Sequence, residues 1–264
     1  MLADLETFMA LLGLSSLYVT LFDHPIESFL VDLTNHDLPV GEVVNHRSTI
    51  LNSTNIAALK KVTDAKFIVH SALDSEFQIC NPDSDSRQTV MRKLKESIDD
   101  AADIGAVAFV QHPGLKIFDI ENGWELNCES LLSLIDYGNS RGVKVFVENM
   151  ANDKHYMSSP SEFIEFIESN HLILSIAFDT GHAHIAGYMD EFIQKLASNF
   201  FLVHITDNNG ISDAHLNVGD GNIDWKKLVI DLIEQKFQGV HIVEAVKQPV
   251  KSIDALRVLY SDVY

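Results

Sequence analysis

Val143-Lys144-Val145-Phe146-Val147-Glu148 is the stretch that decides the fold of this chain. It is a short run of β-branched and aromatic residues that ends on a carboxylate. Runs of this kind read as buried strands of a parallel sheet. The arrangement recurs along the chain. His70 closes Phe67-Ile68-Val69, and His112 follows Val107-Ala108-Phe109-Val110-Gln111. Asp179 follows Ile176-Ala177-Phe178, with His182 one turn further on. His204 closes Phe201-Leu202-Val203, Asp213 and His215 lie in the loop behind it, and Glu244 closes Val240-His241-Ile242-Val243. Six strand ends that each deliver a His, Asp or Glu predict a metal site at the mouth of a barrel.

Working outward, strand-like and helix-like segments alternate. Strands are expected at residues 17–22, 41–45, 66–72, 106–112, 143–149, 174–179, 201–206 and 239–245. Between them lie helical patterns, such as 87–104 with Val90, Leu94, Ile98 and Ala101 on one face. Another, 161–169, opens on Ser-Pro-Ser-Glu, a helix-capping pattern; 224–235 and 250–260 complete the series. Eight strand-to-helix steps with short connections describe a single (β/α)8 TIM barrel over residues 1–264, an α/β fold that takes about 250 residues. Residues 1–14 read as an extra N-terminal helix over the barrel's N-terminal end. In such barrels the C-terminal strand ends and the loops after them build the active site, and all nine candidates map to that face.

Composition narrows the partners. Hydrophobic residues make up 46% of the 264, ample for a core. No apolar stretch reaches the roughly 18–20 residues of a membrane span. Two cysteines, Cys80 and Cys128, form no disulfide framework and no CxxC pair, which with the lack of a targeting segment predicts a cytoplasmic protein. A formal charge of −19 disfavours nucleic acid, whose binders carry a basic footprint. No GxSxG, P-loop or dinucleotide fingerprint is present, which leaves serine hydrolase, NTPase and Rossmann chemistry without support.

Imidazole nitrogens mixed with carboxylate oxygens suit Zn²⁺ or Mn²⁺, whereas an all-oxygen set would suit Mg²⁺ or Ca²⁺. A lone His at a strand end is usually a hydrogen-bonded core residue. Glu148 and Glu244 are different, because a carboxylate aimed into a barrel mouth needs a compensating charge. Glu148 could bridge two ions. Gly219-Asp220-Gly221 reads either as a phosphate-binding turn or, more simply, as a tight loop in which glycine supplies a positive φ.

The segments around His70, His112-Pro113-Gly114, Glu148-Asn149, Asp179-Thr180-Gly181-His182 and the stretch from His204 to Trp225 resemble the xylose isomerase-like TIM-barrel superfamily. That superfamily includes endonuclease IV and many sugar isomerases and epimerases, and the resemblance covers about residues 40–250. Its endonuclease IV branch implies three zinc ions: His70, His112 and Glu148 on the first, Glu148, Asp179, His204 and Glu244 on the second, and His182, Asp213 and His215 on the third. The implied reaction is phosphodiester hydrolysis. The sugar-enzyme branch implies one Mn²⁺, Co²⁺ or Mg²⁺ on Glu148, Asp179, His204 and Glu244. There Glu148 and Glu244 are the catalytic acid and base of an enediolate proton transfer, and His182 binds a substrate oxygen.

Departures from the endonuclease pattern favour the sugar branch. Leu73-Asp74 stands where those enzymes present an aromatic-Leu wedge, and a carboxylate there is repelled by phosphate. Arg47 is the only arginine near the second-strand loop. Thr206-Asp207-Asn208 and the following Gly219–Trp225 segment look more like sugar-phosphate isomerase relatives, which makes Asn208 and Trp225 candidate substrate contacts. His215 departs the other way, since several sugar epimerases place an arginine near it. The sequence therefore predicts a metal-dependent isomerase or epimerase of a small sugar or sugar phosphate, with an endonuclease IV-like zinc phosphoesterase as the second reading.

Overall fold

Eight parallel strands close on themselves in sequence order: β1 (Leu11–Ser15), β2 (Val40–Val44), β3 (Lys66–His70), β4 (Ala108–Gln111), β5 (Lys144–Glu148), β6 (Ile176–Asp179), β7 (Phe200–Ile205) and β8 (Val240–Val243). β1 pairs with both β2 and β8, which completes the ring. The computed structural model describes residues 11–45, 50–62, 64–72, 78–116, 120–152 and 154–263. Arg47, Leu73, Asp74 and residues 1–10 of the expected N-terminal helix lie outside these.

Strand alternation sets the position of the site. Val40, Ile68, Ala108, Val110, Phe146, Ala177, Leu202, Val240 and Ile242 form one apolar cluster that fills the barrel interior. The residues between them, including Phe67, Val69, Phe109, Val145, Val147, Ile176, Phe178 and Val203, belong to the larger cluster under the helices. Side chains alternate with a period of two, so the residue two beyond the last interior apolar one again points inward. Those residues are Glu42, His70, His112, Glu148, Asp179, His204 and Glu244, and Ser15 takes the same level on β1. A polar layer therefore sits directly on a dry floor, at the C-terminal end of the barrel.

The helices wrap this cylinder: α1 (Leu17–Leu21), α2 (Ile26–Asn35), α3 (Ser53–Leu59), α4 (Ser84–Asp103), α5 (Gly123–Arg141), α6 (Pro160–Asn170), α7 (Thr180–Ala186), α8 (Met189–Leu196), α9 (Trp225–Glu234) and α10 (Val250–Val263). The expected capping of α6 is present, with Ser159 and Glu162 closing a capping box around Pro160. Phe178 is fully buried, stacked on Phe200 at 4.4 Å between centroids and packed on Phe192 at 5.6 Å. No described helix is long and apolar enough to cross a membrane.

The first strand differs from expectation. Residues 17–22, rich in strand formers, begin with α1, while Leu11–Ser15, which overlaps the expected N-terminal helix of residues 1–14, is β1. Ring closure overrides local propensity here. At Gly13 an added Cβ would meet the Val40 carbonyl at 2.7 Å, so only glycine fits this close interior approach. The chain then turns at Ser16, whose Oγ accepts the Val44 N–H and whose carbonyl accepts the N–H groups of Val19 and Thr20.

Candidate metal centre

The imidazoles at the barrel mouth are oriented from outside. His70 Nδ1 donates to the Ser71 carbonyl (2.9 Å), His182 Nδ1 to the Asn149 carbonyl (2.8 Å), and His215 Nδ1 to the Glu244 carbonyl (3.2 Å). A carbonyl only accepts, so each of these rings carries its proton on Nδ1. The inward Nε2 atoms then face carboxylates. His70 Nε2 lies 3.0 Å from Glu148 Oε2, and the Nε2 atoms of His182 and His215 each lie 3.2 Å from Asp213 Oδ2. His112 Nε2 is also 3.0 Å from Glu148 Oε2. In a neutral His70, His182 or His215 that inner nitrogen is a lone pair aimed at another lone pair. Such a contact is favourable only when the ring takes a second proton or when a cation lies between the two.

Three groups of donors emerge. Glu148, Asp179, His204 and Glu244 place one ligand atom each within 4.8 Å of one another, as do His70, His112 and Glu148, and His70, His204 and Glu244. Glu148 is shared by the first two. His182, Asp213 and His215 meet at Asp213 Oδ2 beside them. The structure thus brings all nine sequence candidates to one mouth. They lie at two depths: Glu148, Asp179, His204 and Glu244 are buried, whereas the side chains of His112, His215 and Asp213 are 24%, 22% and 34% exposed.

Charge in this layer is poorly compensated. Among the described residues no Lys or Arg pairs with Glu42, Glu148, Asp179, Asp213 or Glu244; histidines alone do. Burial, opposed by His204 and reinforced by Glu42 and Glu148, pushes Glu244 up to about 8. Burial likewise raises Asp179, against the pull of His182. Glu148 goes the other way: burial would raise it, but His204 and His112 hold it well below the usual carboxylate range. Burial would also lower His70 and His215, yet Glu148 raises the first and Asp213 the second to about 9. Carboxylates that resist ionisation beside imidazoles that hold extra protons mark an excess of negative charge. A divalent cation satisfies this donor set, and its N/O mixture fits Zn²⁺ or Mn²⁺.

Neighbouring polar groups hold the donors in place. The Asn149 side chain accepts the Asp179 N–H (2.7 Å) and donates to the Asp179 carbonyl (3.0 Å), which joins the tops of β5 and β6. Asp207 organises the loop that carries Asp213 and His215. Its two oxygens accept the N–H groups of Asn208, Gly219, Gly221 and Ile223 and the indole N–H of Trp225. His215 itself sits at φ 44°. That is the left-handed region, which non-glycine residues enter at a cost of about 1–3 kcal/mol.

Several expected contacts fall elsewhere. Trp225 is buried with its indole committed to Asp207, so it supports the loop and does not stack on a substrate. Asn208 is fully buried; its amide donates to the Gly181 carbonyl and its oxygen accepts the Gly210 N–H. Neither is presented to the mouth. The N–H groups of Gly219 and Gly221 both point at Asp207, which leaves no phosphate-binding turn, and Gly219 at φ 88° is the tight-loop glycine. His182 has Nδ1 on Asn149 and Nε2 towards Asp213, the placement of a donor in the shallower group.

One buried carboxylate escaped sequence reading. Glu42 on β2 is fully buried, with Oε2 2.9 Å from His204 Nε2 and Oε1 accepting from Ser15 Oγ at 3.0 Å. It lies mid-strand instead of at a strand end. The signal that finds it is the inward alternation Val40, Glu42.

Fold and donor set together define a (β/α)8 barrel with a carboxylate–imidazole centre at its C-terminal mouth. The chain belongs to the xylose isomerase-like TIM barrel family, whose pattern matches residues 31–261. An uncharacterised protein of Methanocaldococcus jannaschii is 27% identical over 259 residues, 93% of this chain and 87% of the relative. A probable endonuclease 4 of Acholeplasma laidlawii is 27% identical over 180 residues, 61% of each chain. The crystal structure of a D-tagatose 3-epimerase-like protein matches with a TM-score of 0.86 at 26% identity, covering 97% of this chain and 98% of that one.

Proposed function

We propose that the protein is a metal-dependent isomerase or epimerase of a small sugar or sugar phosphate. The observation that carries this reading is the four-residue group in which two buried carboxylates, Glu148 from β5 and Glu244 from the end of β8, reach one point beside Asp179 and His204. A divalent cation held there would bind adjacent substrate oxygens and stabilise the negative charge that develops on them. Glu148 and Glu244 rise from separate strands, so one removes the proton next to the carbonyl while the other delivers one from the opposite side. The apolar floor below them closes the barrel interior beneath the site.

The rim supports a small substrate. On the loops of the C-terminal face, the cations among the described residues are Lys116, Lys154 and Lys247, and Lys116 is paired with Glu162. Against them stand Asp23, Asp83, Glu121, Asp213, Asp220 and Asp224. Such a rim repels a polyanionic duplex. The epimerase-like structure superimposes over 97% of this chain at 26% identity.

A second reading, a zinc phosphodiesterase acting on abasic DNA, draws support from the remaining donors. His70, His112, His182, Asp213 and His215 exceed what one ion requires, and Glu148 is placed to be shared.

The discriminating experiment is solvent-deuterium incorporation into a panel of ketoses, aldoses and their phosphates with Mn²⁺, Co²⁺, Mg²⁺ or Zn²⁺. Abasic-site DNA cleavage is assayed in parallel, together with metal stoichiometry. Exchange that is lost in Glu148→Gln and Glu244→Gln, with about one ion per chain, supports the isomerase reading. Chelator-sensitive cleavage of DNA with about three zinc ions, and no exchange, overturns it.

A further inference from the structure

We propose that Glu42 is a positioning residue of the metal centre: it accepts the hydrogen bond from His204 Nε2–H and thereby turns the Nδ1 lone pair of that ring towards Glu148, Asp179 and Glu244. The inference rests on the metal reading of this site.

Three observations carry it. First, His204 has one nitrogen on each side of the polar layer. Nε2 lies 2.9 Å from Glu42 Oε2, while Nδ1 lies 3.2 Å from Glu148 Oε1, 3.7 Å from Glu244 Oε2 and 4.0 Å from Asp179 Oδ2. A ring whose proton sat on Nδ1 would offer the centre no lone pair. Second, Glu42 is held at both ends. Ser15 Oγ donates to its other oxygen, and its backbone carbonyl accepts the Ser16 N–H at 2.7 Å, so β1 and the turn after it lock the carboxylate in register. Third, His204 is exceptional. His70, His182 and His215 direct their outer nitrogens at backbone carbonyls, whereas His204, alone among these four, uses a carboxylate. A carboxylate acceptor fixes the tautomer and makes the opposite nitrogen a stronger donor. His204 also belongs to the four-residue group and to the group with His70, so its orientation governs both.

Glu42 is not itself a donor in any of the three groups; Ser15 and His204 engage its oxygens, and Glu244 lies against it. A carboxylate that merely filled space here would be replaceable by its amide.

The test compares the full-length protein with Glu42→Gln, Glu42→Asp and Ser15→Ala. Zinc affinity is measured by competition with a chromophoric chelator, and the fold by melting of the metal-free proteins. In the zinc-loaded protein, ¹⁵N imidazole shifts report which nitrogen of His204 is ligated. The expected result is Nδ1 ligation with the proton on Nε2 in the wild type. Zinc affinity should fall about 10–100-fold in Glu42→Gln, and by less in Ser15→Ala, without a matching change in metal-free melting. Zinc affinity of Glu42→Gln within about twofold of wild type, or Nε2 ligation in the wild type, would overturn the proposal. If Glu42→Gln does not fold, Glu42→Asp carries the same comparison, since its shorter side chain withdraws from His204. Failure of the wild type to bind zinc or manganese at all would sink the metal reading together with this inference. Normal wild-type binding with an unaffected variant would sink the inference alone.

Discussion

Replacing Asp207 by asparagine should unfasten the loop that carries Asp213 and His215. The carboxylate accepts five N–H groups. Oδ1 takes those of Asn208 (2.8 Å) and Ile223 (3.3 Å), and Oδ2 those of Gly219 (2.9 Å), Gly221 (3.1 Å) and the Trp225 indole (2.8 Å). An amide of the same shape keeps one oxygen and turns an NH₂ group towards the other donors. Even in the better rotamer, two N–H groups lose their acceptor at a fully buried position. Hydrogen bonds to a charged group contribute about 1.5–3 kcal/mol each, so the expected loss is about 3–6 kcal/mol in urea unfolding. The damage should also be local. His215 is held in left-handed backbone by this loop, by its contact with Asp213 and by its bonds to Glu244 and Val246, and it should relax once the loop loosens. Zinc titration should then show weakening confined to the His182–Asp213–His215 group, with the deep group near wild type. A stability for Asp207→Asn within about 1 kcal/mol of wild type, the size of a single ordinary hydrogen bond, would refute the claim that one carboxylate organises this loop.

Further outcomes can be checked with the same preparations. Glu148→Gln should weaken metal binding in both groups that share it, whereas His112→Asn should affect only the His70–His112–Glu148 group; equal effects would deny that Glu148 is shared. Zinc at about 100 times its Kd should stabilise the protein against unfolding by about 2.7 kcal/mol per independent site, reversed by chelator, as read from melting curves. His241 is buried against Tyr260, whose hydroxyl lies 2.6 Å from Nε2, and burial holds it down to about 4, against the opposing Leu11 carbonyl. The unfolded chain binds that proton near pH 6.5, so its stabilising effect is complete above about pH 6.5 and is lost as pH falls towards 4. The loss is about 3 kcal/mol, and His241→Gln should flatten the acid limb of stability against pH by that amount. Phe178→Ala, which empties a stack between Phe200 and Phe192, should cost about 3–5 kcal/mol in urea unfolding.

Much of this protein is legible before folding is considered. A strand end is a local event: a run such as Phe146-Val147-Glu148 carries both its period and the donor that follows it. Seven of the eight strands, and the six candidate residues that close them, were therefore readable from residues near one another in sequence. What was not legible depends on contacts between distant segments. Leu11–Ser15 becomes a strand because it must pair with β8, at the far end of the chain, to close the ring, and no local propensity reports that. Glu42 looks like an ordinary polar residue within a strand until His204 arrives opposite it. Asn208 and Trp225 resemble substrate contacts until Gly181 and Asp207 claim their polar atoms. The residue types at the mouth were settled by sequence, because alternation is a property of the single strand. Which nitrogen of each histidine faces the centre was settled only by the tertiary structure, because each tautomer is set by an acceptor that the folded barrel places beside the ring.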